Sequence, residues 1–403
     1  MSTPASTLPS RAQRHLAAGG RRSRSDGKVR IAGLDLARGL AVLGMIGAHL
    51  DLTENLSWSP SSWQALVYGR PAVLFGVLAG VSIALLSGGT RPATGDDLMR
   101  ARVRIMVRAA WVFLIGGLLE LLGTEVLVIL GVYAVLFVLA LPFLRWSPRR
   151  LLLLAAGLAL AAPPVSLLLS QLAVVAEAET AFASLVLTGA YPVLWWWAFV
   201  LVGLAIGRLD LSARRVRAVL LLAGAAAAVA GYALGWLSTQ LLANGVAVPE
   251  PADAYERMPG WDESSVGQWD WAWLSGSQPH SGTPFWLLAS AGVATAVIAV
   301  CLVAADAAPR LAYPVASVGA MALTAYSLHI VALRVFPPDG SFGVRVWILS
   351  ITGVIVFAVA WRLLLGRGPL ERLLTWSSNR AARLSDRTPA PAVQQPLAPP
   401  RDG

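Results

Sequence analysis

Long apolar runs alternate with short polar segments along nearly the whole chain. A helix needs roughly 17–25 apolar residues to cross the hydrocarbon core of a bilayer, and a spanning segment must satisfy its own backbone hydrogen bonds. The pattern predicts an all-α, polytopic transmembrane bundle of about ten spanning helices. The predicted spans are residues 31–50, 68–86, 103–122, 125–144, 151–172, 191–207, 216–237, 284–305, 313–333 and 344–365.

The polar segments divide the chain into three regions. Residues 1–30 and 376–403 are rich in Ser, Pro, Ala and Arg, so we expect them to be disordered tails. Between them, residues 31–375 form the predicted membrane domain. Its one long connection, residues 238–283, is expected outside the cytoplasm, and its length is typical of a functional loop.

Composition supports the membrane class. With 56% hydrophobic and 13% charged residues, the chain has more apolar surface than one water-soluble core can bury. A net charge of +10 would also suit nucleic acid, but the basic residues lie in short clusters between apolar runs, so no such partner is expected. The single cysteine, Cys301, excludes a disulfide framework and a cysteine-based metal cluster.

The basic residues also predict the orientation of the chain. Cytoplasmic loops of membrane proteins accumulate Arg and Lys. A cytoplasmic N-terminus places most of the 32 basic residues inside, and an even number of spans brings the basic C-terminal tail to the same side. We therefore expect a multi-pass protein of the cell membrane, with the lipid bilayer as a partner and both termini cytoplasmic. The sequence does not determine the oligomeric state.

The first span contains three side chains that can carry chemistry. Charged groups inside a span cost free energy and are functional candidates. Arg38 and His49 differ by only about 20° around the helix and lie about 16 Å apart along it, with Asp35 within about 60° of both. An imidazole can take and return a proton near neutral pH. Alternatively, Asp35 and Arg38 only fix the helix end, and His49 is an inert interfacial histidine.

The second span begins with Arg70, at the membrane depth of His49. Its guanidinium can hold an anionic group or extend to the membrane surface. The same span carries small residues at the spacing of helix contacts. We expect these residues to pack against the first span: Gly76, Ala79, Gly80 and Ala84.

Further candidates fall on the same outer side as His49. They are His329 and Tyr326 in the ninth predicted span, and His280 and Trp271 in the long outer connection. Three histidines in one zone could bind zinc, but they lack paired ligand spacing, so no metal site is expected. Trp271 belongs to a tryptophan-rich segment typical of a membrane aromatic belt or of a sugar-stacking surface.

These motifs resemble the transmembrane acyltransferase superfamily, which includes the heparan-alpha-glucosaminide N-acetyltransferases. The later motifs are similar to bacterial relatives with an uncharacterised C-terminal membrane region. The matching segments are Ile31-Ala-Gly-Leu-Asp35-Leu-Ala-Arg38-Gly39 with Gly44-Met45 and His49, Gly69-Arg70 with Leu74-Phe75 and Leu78-Ala79-Gly80-Val81-Ser82, Gly319-Ala-Met321-Ala-Leu-Thr324-Ala-Tyr326, and Gly366-Arg-Gly-Pro369-Leu370-Glu371.

The resemblance implies transfer of an acyl group, usually acetyl, from cytoplasmic acyl-coenzyme A. The acceptor would be an extracytoplasmic or lipid-linked molecule of sugar type, and no cofactor would stay bound. Carried over by residue, Arg38 and Arg70 bind the donor, Asp35 orients Arg38, and His49 is the general base or transient acyl carrier. A relative carries a histidine in the loop after the first helix, whereas residues 51–67 contain none. Either His49 takes that role or the activity has been lost.

Two other functions compete with an acyltransferase. A transporter or exporter of a small or lipid-linked solute would be built from an inverted repeat with interrupted spans, and the sequence shows no such pair. A non-catalytic membrane scaffold needs no chemistry in the first span. The acceptor-side candidates of the acyltransferase interpretation are His280, His329, Tyr326 and Trp271.

Overall fold

The structure, a computed structural model, describes residues 24–25, 28–29, 31–49, 69–124, 126–175, 185–186, 191–242, 271–336 and 344–384. Within these ranges the chain forms twelve α-helices. One two-residue antiparallel pair, β1 (Arg24–Ser25) with β2 (Lys28–Val29), precedes them; Arg24 lies opposite Val29. The helical class predicted from the apolar pattern is confirmed.

Every predicted span overlaps at least one of these helices. Short 3-10 turns at Leu141–Phe143 and Trp271–Leu274 accompany them. The helices are α1 (Ala32–Ala48), α2 (Arg70–Leu86), α3 (Gly95–Glu120), α4 (Leu130–Leu139), α5 (Pro148–Val175), α6 (Val193–Ile206), α7 (Arg214–Leu242), α8 (Pro284–Ala307), α9 (Pro309–Ala320), α10 (Ala322–Val335), α11 (Val344–Leu364) and α12 (Pro369–Leu384).

Among the described residues, four helices are long and apolar enough to cross a membrane: α5, α7, α8 and α11. The bent pair α9 and α10 gives a fifth candidate. Helices α2, α4 and α6 are apolar but shorter, with 10–17 residues. The chain is therefore a helical membrane protein with four or five candidate spans, while the full set of ten spans and the cytoplasmic termini stay predictions.

The ninth predicted span is not continuous. Helices α9 and α10 meet at Met321 with a bend of 71°. Met321 has a non-helical backbone (φ −131°, ψ 43°), which interrupts the ladder of helical hydrogen bonds. The apolar pattern runs unbroken across the bend, so the sequence predicted a span over residues 313–333 but not its interruption.

Glycines allow the closest helix contacts. Helices α7 and α8 pack at Gly231, where an added Cβ would lie 2.5 Å from the backbone nitrogen of Ala289. On α2, Gly80 packs against the backbone of Val200 in α6, rather than against α1 as the sequence suggested. Contact between α1 and α2 is made instead by Gly44, whose Cβ would lie 2.5 Å from Pro71. Small-residue spacing identified a contact face but not its partner.

The boundaries of two predicted segments also change. Helix α12 continues through position 376, where the disordered tail was expected to begin, as far as Leu384. Its Ser, Ala and Arg content resembles a tail, but its apolar side packs against α3 and α10. Helix α7 extends to Leu242, beyond the expected start of the long connection at Ser238.

Candidate functional site

Arg38 lies at the centre of a contact between three elements. Its Nη1 donates to the carboxylate of Asp35 at 2.9 Å and to the carbonyl oxygen of Gly319 at 3.4 Å. Its Nη2 donates to Ser82 Oγ on α2 at 3.2 Å. Asp35 is buried, whereas 22% of the Arg38 side chain stays exposed. The expected contact between Asp35 and Arg38 is present, and the Arg38 side chain is only partly buried.

Glycines on both helices bring α9 against α1 at this point. A Cβ on Gly39 would overlap the carbonyl oxygen of Val315, and one on Gly319 would overlap that of Asp35. The two backbones therefore touch directly beside Arg38. This contact explains why the Gly319 carbonyl comes within reach of a guanidinium on the first helix.

Arg108 on α3 has three other arginines near it, and Arg38 is one of them. The guanidinium of Arg108 on α3 lies within electrostatic range of Arg104, Arg367 and Arg38, and its Nε donates to Ser378 Oγ on α12 at 3.4 Å. Arg104 is one helical turn before Arg108, and its Nε is buried with no hydrogen-bond partner among the described residues. We call Arg38, Arg104, Arg108 and Arg367 the arginine cluster. Their combined positive charge suits a polyanion.

The carboxylate of Glu371 on α12 is hydrogen-bonded to the start of α10. Glu371 accepts hydrogen bonds from the backbone nitrogens of Leu323 and Thr324 at 2.8 and 3.1 Å, and from Thr324 Oγ1 at 2.6 Å. It thus satisfies the amides at the start of α10, just after the bend. Gly368 comes so close to Thr324 that a Cβ there would lie 2.9 Å from its Oγ1.

His49 and His329 form a pair at the far end of α1. The Nδ1 atom of His49 lies 3.2 Å from the Nε2 atom of His329, and the two rings are stacked at 5.4 Å between centroids. One nitrogen must donate and the other accept, so the tautomers of His49 and His329 are coupled. The Nε2 atom of His49 is then the one left to face a reacting group.

Tyr326 lies one turn before His329 on α10 and also contacts His49. Its ring meets that of His49 edge to face, with 6.2 Å between centroids. Positions 326 and 329 share a helix face because residues three apart are neighbours on a helix. Both side chains are buried. The structure therefore joins two of the acceptor-side candidates to the proposed base.

Arg70 lies apart from the arginine cluster, at the start of α2. Its Nε donates to Tyr232 Oη on α7 at 3.1 Å, and its guanidinium lies 5.8 Å from the centre of that ring. Gly69, just before it, has a φ of 70°, and a Cβ there would lie 3.1 Å from the imidazole of His280. Arg70 therefore lies beside the outer connection, with a tyrosine as its described partner.

His280 occupies a buried site of its own. Its ring lies 5.9 Å from Tyr191 and 6.0 Å from Trp286. Among the described residues it is the one non-glycine with a positive φ, 62°. A left-handed backbone at a side chain other than glycine costs free energy and needs support from its surroundings. Burial lowers the pKa of His280 from 6.5 to about 4, so it is neutral at neutral pH.

Two further expectations from the sequence concern Trp271 and a metal site. The side chain of Trp271 is not among the parts of the chain that the structure describes. Within the described residues, no three His, Cys, Asp or Glu side chains come together as a metal ion would require. His49 and His329 meet, while His280 faces aromatic rings.

The sequence pattern did not single out four charged side chains of this region. Arg104 and Arg108 were counted as cytoplasmic charge, although their four-residue spacing inside a predicted span places them on one helix face. Arg367 and Glu371 lie in the motif of residues 366–371, whose partner segment, 319–326, contacts it in space. The presence of both motifs in one chain, close together along it, was the signal that the sequence offered for this contact.

Comparison with known proteins agrees with the motifs of the first two helices. Residues 30–240 match the family model for the catalytic domain of heparan-alpha-glucosaminide N-acetyltransferase. No curated protein gives a significant match to the chain. The match covers α1 to α7 and includes Asp35, Arg38, His49 and Arg70, whereas His329 lies beyond it. Because the matched segment is just over half of the 403 residues, the chain belongs to the heparan-alpha-glucosaminide N-acetyltransferase catalytic family.

Proposed function

We propose that this membrane acetyltransferase-type protein transfers an acetyl group from cytoplasmic acyl-coenzyme A to a sugar-type acceptor outside the cytoplasm or linked to lipid. The observation that carries the proposal is the placement of two unlike sites along α1. The arginine cluster, which includes Arg38, lies near one end, and the pair of His49 and His329 lies at the other. Eleven residues of helix separate them by about 16 Å, a distance that the pantetheine arm of coenzyme A can bridge.

The arginine cluster is the proposed site for the phosphates of the donor. Guanidinium groups form strong, charge-assisted hydrogen bonds with phosphate oxygens. The buried Nε of Arg104 lacks a described partner, and Arg38 keeps an exposed side. The acid beside Arg38 is paired with it, and Glu371 accepts hydrogen bonds from backbone amides. The phosphates of the donor would give Arg104 and Arg108 charge-assisted hydrogen-bond partners.

The histidine pair is the proposed site of transfer. Nε2 of His49 takes the proton of the acceptor's hydroxyl or amine as that oxygen or nitrogen attacks the thioester carbonyl. The carbon–sulfur bond then breaks, and the coenzyme A thiolate receives the proton from His49. His329 holds the imidazole through Nδ1 in the tautomer that this step requires. Tyr326 excludes water from one side of the ring.

Turnover of radiolabelled acetyl-coenzyme A by purified protein in detergent tests the reaction. We expect His49→Ala to lower the rate by roughly 10²–10⁴-fold, the usual contribution of acid–base catalysis. Arg38→Ala should weaken donor binding. Arg149→Ala, an exposed arginine on α5, is the matched control and should behave like the wild type. Wild-type protein that neither binds nor turns over the donor would refute the proposal.

Donor fragments test the phosphate site separately. Arg104→Gln should raise KM for acetyl-coenzyme A by about tenfold or more, as expected for a lost hydrogen bond to a charged group. It should leave KM for S-acetylpantetheine, which lacks the nucleotide phosphates, unchanged. An equal effect on both donors would mean that Arg104 supports the fold rather than the phosphates.

The bend between α9 and α10 favours one other function, a solute transporter, because transporters place binding sites at interrupted helices. Here the exposed backbone groups at the bend already have partners, since Arg38 binds the Gly319 carbonyl and Glu371 binds two amides. Solute uptake by proteoliposomes without donor consumption would establish the transporter instead.

A further inference from the structure

We propose that α12 carries a binding surface for anionic lipid headgroups on its outward face. Arg372, Trp376, Arg380 and Arg383 are all exposed, with 62% of Trp376 accessible. At 100° per residue they fall within an arc of about 80°, and they extend over about 16 Å of helix. We call these four residues the α12 stripe.

The opposite face of α12 is attached to the protein. Glu371, Leu374, Ser378 and Ala382 fall within another arc of about 80°, roughly opposite the stripe. Glu371 binds the start of α10, and Ser378 accepts from Arg108 on α3. Ser378 and Ala382 are buried. These contacts fix the rotation of the helix, so the stripe faces away from the bundle.

The position of α12 places the stripe at a membrane surface. The preceding helix, α11, is a candidate span whose last residues, Leu363 and Leu364, are 64% and 82% exposed, as expected of side chains that contact lipid. Four residues separate α11 from α12, which limits the distance between them to about 18 Å. Trp361 also donates to the Arg367 carbonyl and so holds the linker close to the span.

The chemistry of the stripe selects an anionic headgroup. Guanidinium groups pair with phosphate oxygens, and an exposed tryptophan is stabilised at the level of the headgroups. The Arg380 guanidinium lies 5.9 Å from the Trp376 ring centre, so charge and ring form one patch. No acidic residue lies within the stripe. This inference depends only on the membrane class of the chain and not on the proposed reaction.

A fluorophore beside the stripe tests the inference in lipid nanodiscs. Asn379 lies about 20° from Arg372 on the helix surface, so Asn379→Cys places a bimane label there and leaves the stripe intact. Cys301→Ala removes the chain's own thiol. At equal lipid fraction, brominated phosphatidylglycerol should quench the label about fivefold more strongly than brominated phosphatidylcholine. This factor corresponds to the attraction of one arginine to an anionic membrane surface. High salt should reduce this preference.

Two triple variants provide the comparison. Arg372→Gln, Arg380→Gln and Arg383→Gln together should abolish the preference for phosphatidylglycerol. The control removes the same charge from three other exposed arginines and should keep the preference: Arg145→Gln, Arg149→Gln and Arg150→Gln. Size-exclusion chromatography and helix content verify that both variants fold.

Three outcomes would overturn the inference. Equal quenching by the two lipids with the stripe intact would show no selectivity for anionic headgroups. An equal loss in both triple variants would assign the effect to net charge. A label that neither lipid quenches would show that α12 lies away from the bilayer. Its basic face would then be a binding surface for an acidic protein segment.

Discussion

The contact of His329 with Nδ1 of His49 leaves one nitrogen of the catalytic candidate for a reacting group. A single histidine in a membrane protein exchanges between two tautomers, whereas a paired one has its tautomer set by the partner. In the proposed reaction His329 therefore has a positioning role, because it acts on His49 rather than on the acetyl group.

Replacing His329 should lower the catalytic rate without weakening the binding of acetyl-coenzyme A. His329→Leu removes the partner of Nδ1, so we expect kcat to fall by about 10²-fold while KM for acetyl-coenzyme A stays unchanged. His329→Gln places an amide nitrogen near the position of Nε2 and should recover part of the rate. Steady-state kinetics of the two variants measure this. A loss that the glutamine does not recover, together with a raised KM, would contradict the role.

The buried His280 should make stability depend on pH. Its pKa is about 4 in the folded protein and 6.5 when exposed, so the unfolded chain binds the proton first as pH falls. Stability is therefore complete above pH 6.5 and decreases between 6.5 and 4. At pH 5 the loss should be about 2 kcal/mol.

Thermal unfolding in detergent at pH 7 and pH 5, for wild type and His280→Asn, measures this effect. Asparagine tolerates the positive φ at this position and does not titrate, so the variant should lose less stability on acidification. The same pH dependence in both proteins would show that other groups cause it.

At the scale of helices, three glycines bring the backbones of α7 and α8 into direct contact. Gly224, Gly231 and Gly292 each bring an opposing backbone within the space of a Cβ. Helices in lipid gain little from apolar burial and depend on such close packing. A methyl group added at one of these glycines should therefore lower stability, whereas one added on a lipid-facing side should not.

Two glycine substitutions test this difference. Gly231→Ala would put a methyl group 2.5 Å from the Ala289 nitrogen, so we expect a loss of about 1–3 kcal/mol as the helices separate. Gly157→Ala on α5 meets nothing within 4 Å and should stabilise by about 0.5–1 kcal/mol. Unfolding midpoints of both variants in one detergent provide the measurement. Equal effects would mean that helix propensity alone decides.

Helix positions were largely predictable from the sequence, because a bilayer demands long apolar runs. The bend at Met321 was not predictable in this way, since Met, Ala and Leu around it continue the apolar pattern. Asp35 and Arg38 could be paired from their spacing within one helix. The pairing of His49 with His329 could not, because 280 residues separate them and no local pattern encodes such a contact.

At the scale of the whole molecule, Arg208 connects three separate segments. Its guanidinium is buried and donates to the carbonyls of Ala84, Gly89 and Leu144, and to Ser87 Oγ. Burial lowers its pKa to about 10, so it stays charged at neutral pH. One side chain thus satisfies the end of α2, the turn after it and the end of the α4 region.

Arg208→Met should destabilise the protein by about 2–4 kcal/mol, because it leaves these buried carbonyls without donors. Arg215→Met, an exposed arginine nearby, is the matched control and should change stability by less than about 0.5 kcal/mol. Thermal unfolding in detergent distinguishes them. Equal stability of the two variants would show that water replaces the guanidinium.

The partners of Arg38 are synthesised at very different times. Asp35 is three residues away, Ser82 is 44 residues later, and Gly319 is 281 residues later. When α1 leaves the ribosome, only the carboxylate exists to neutralise the guanidinium. In the predicted ten-span arrangement, in which α1 is the first span, the local pair lets this helix enter the bilayer with little net charge, long before its other contacts are made.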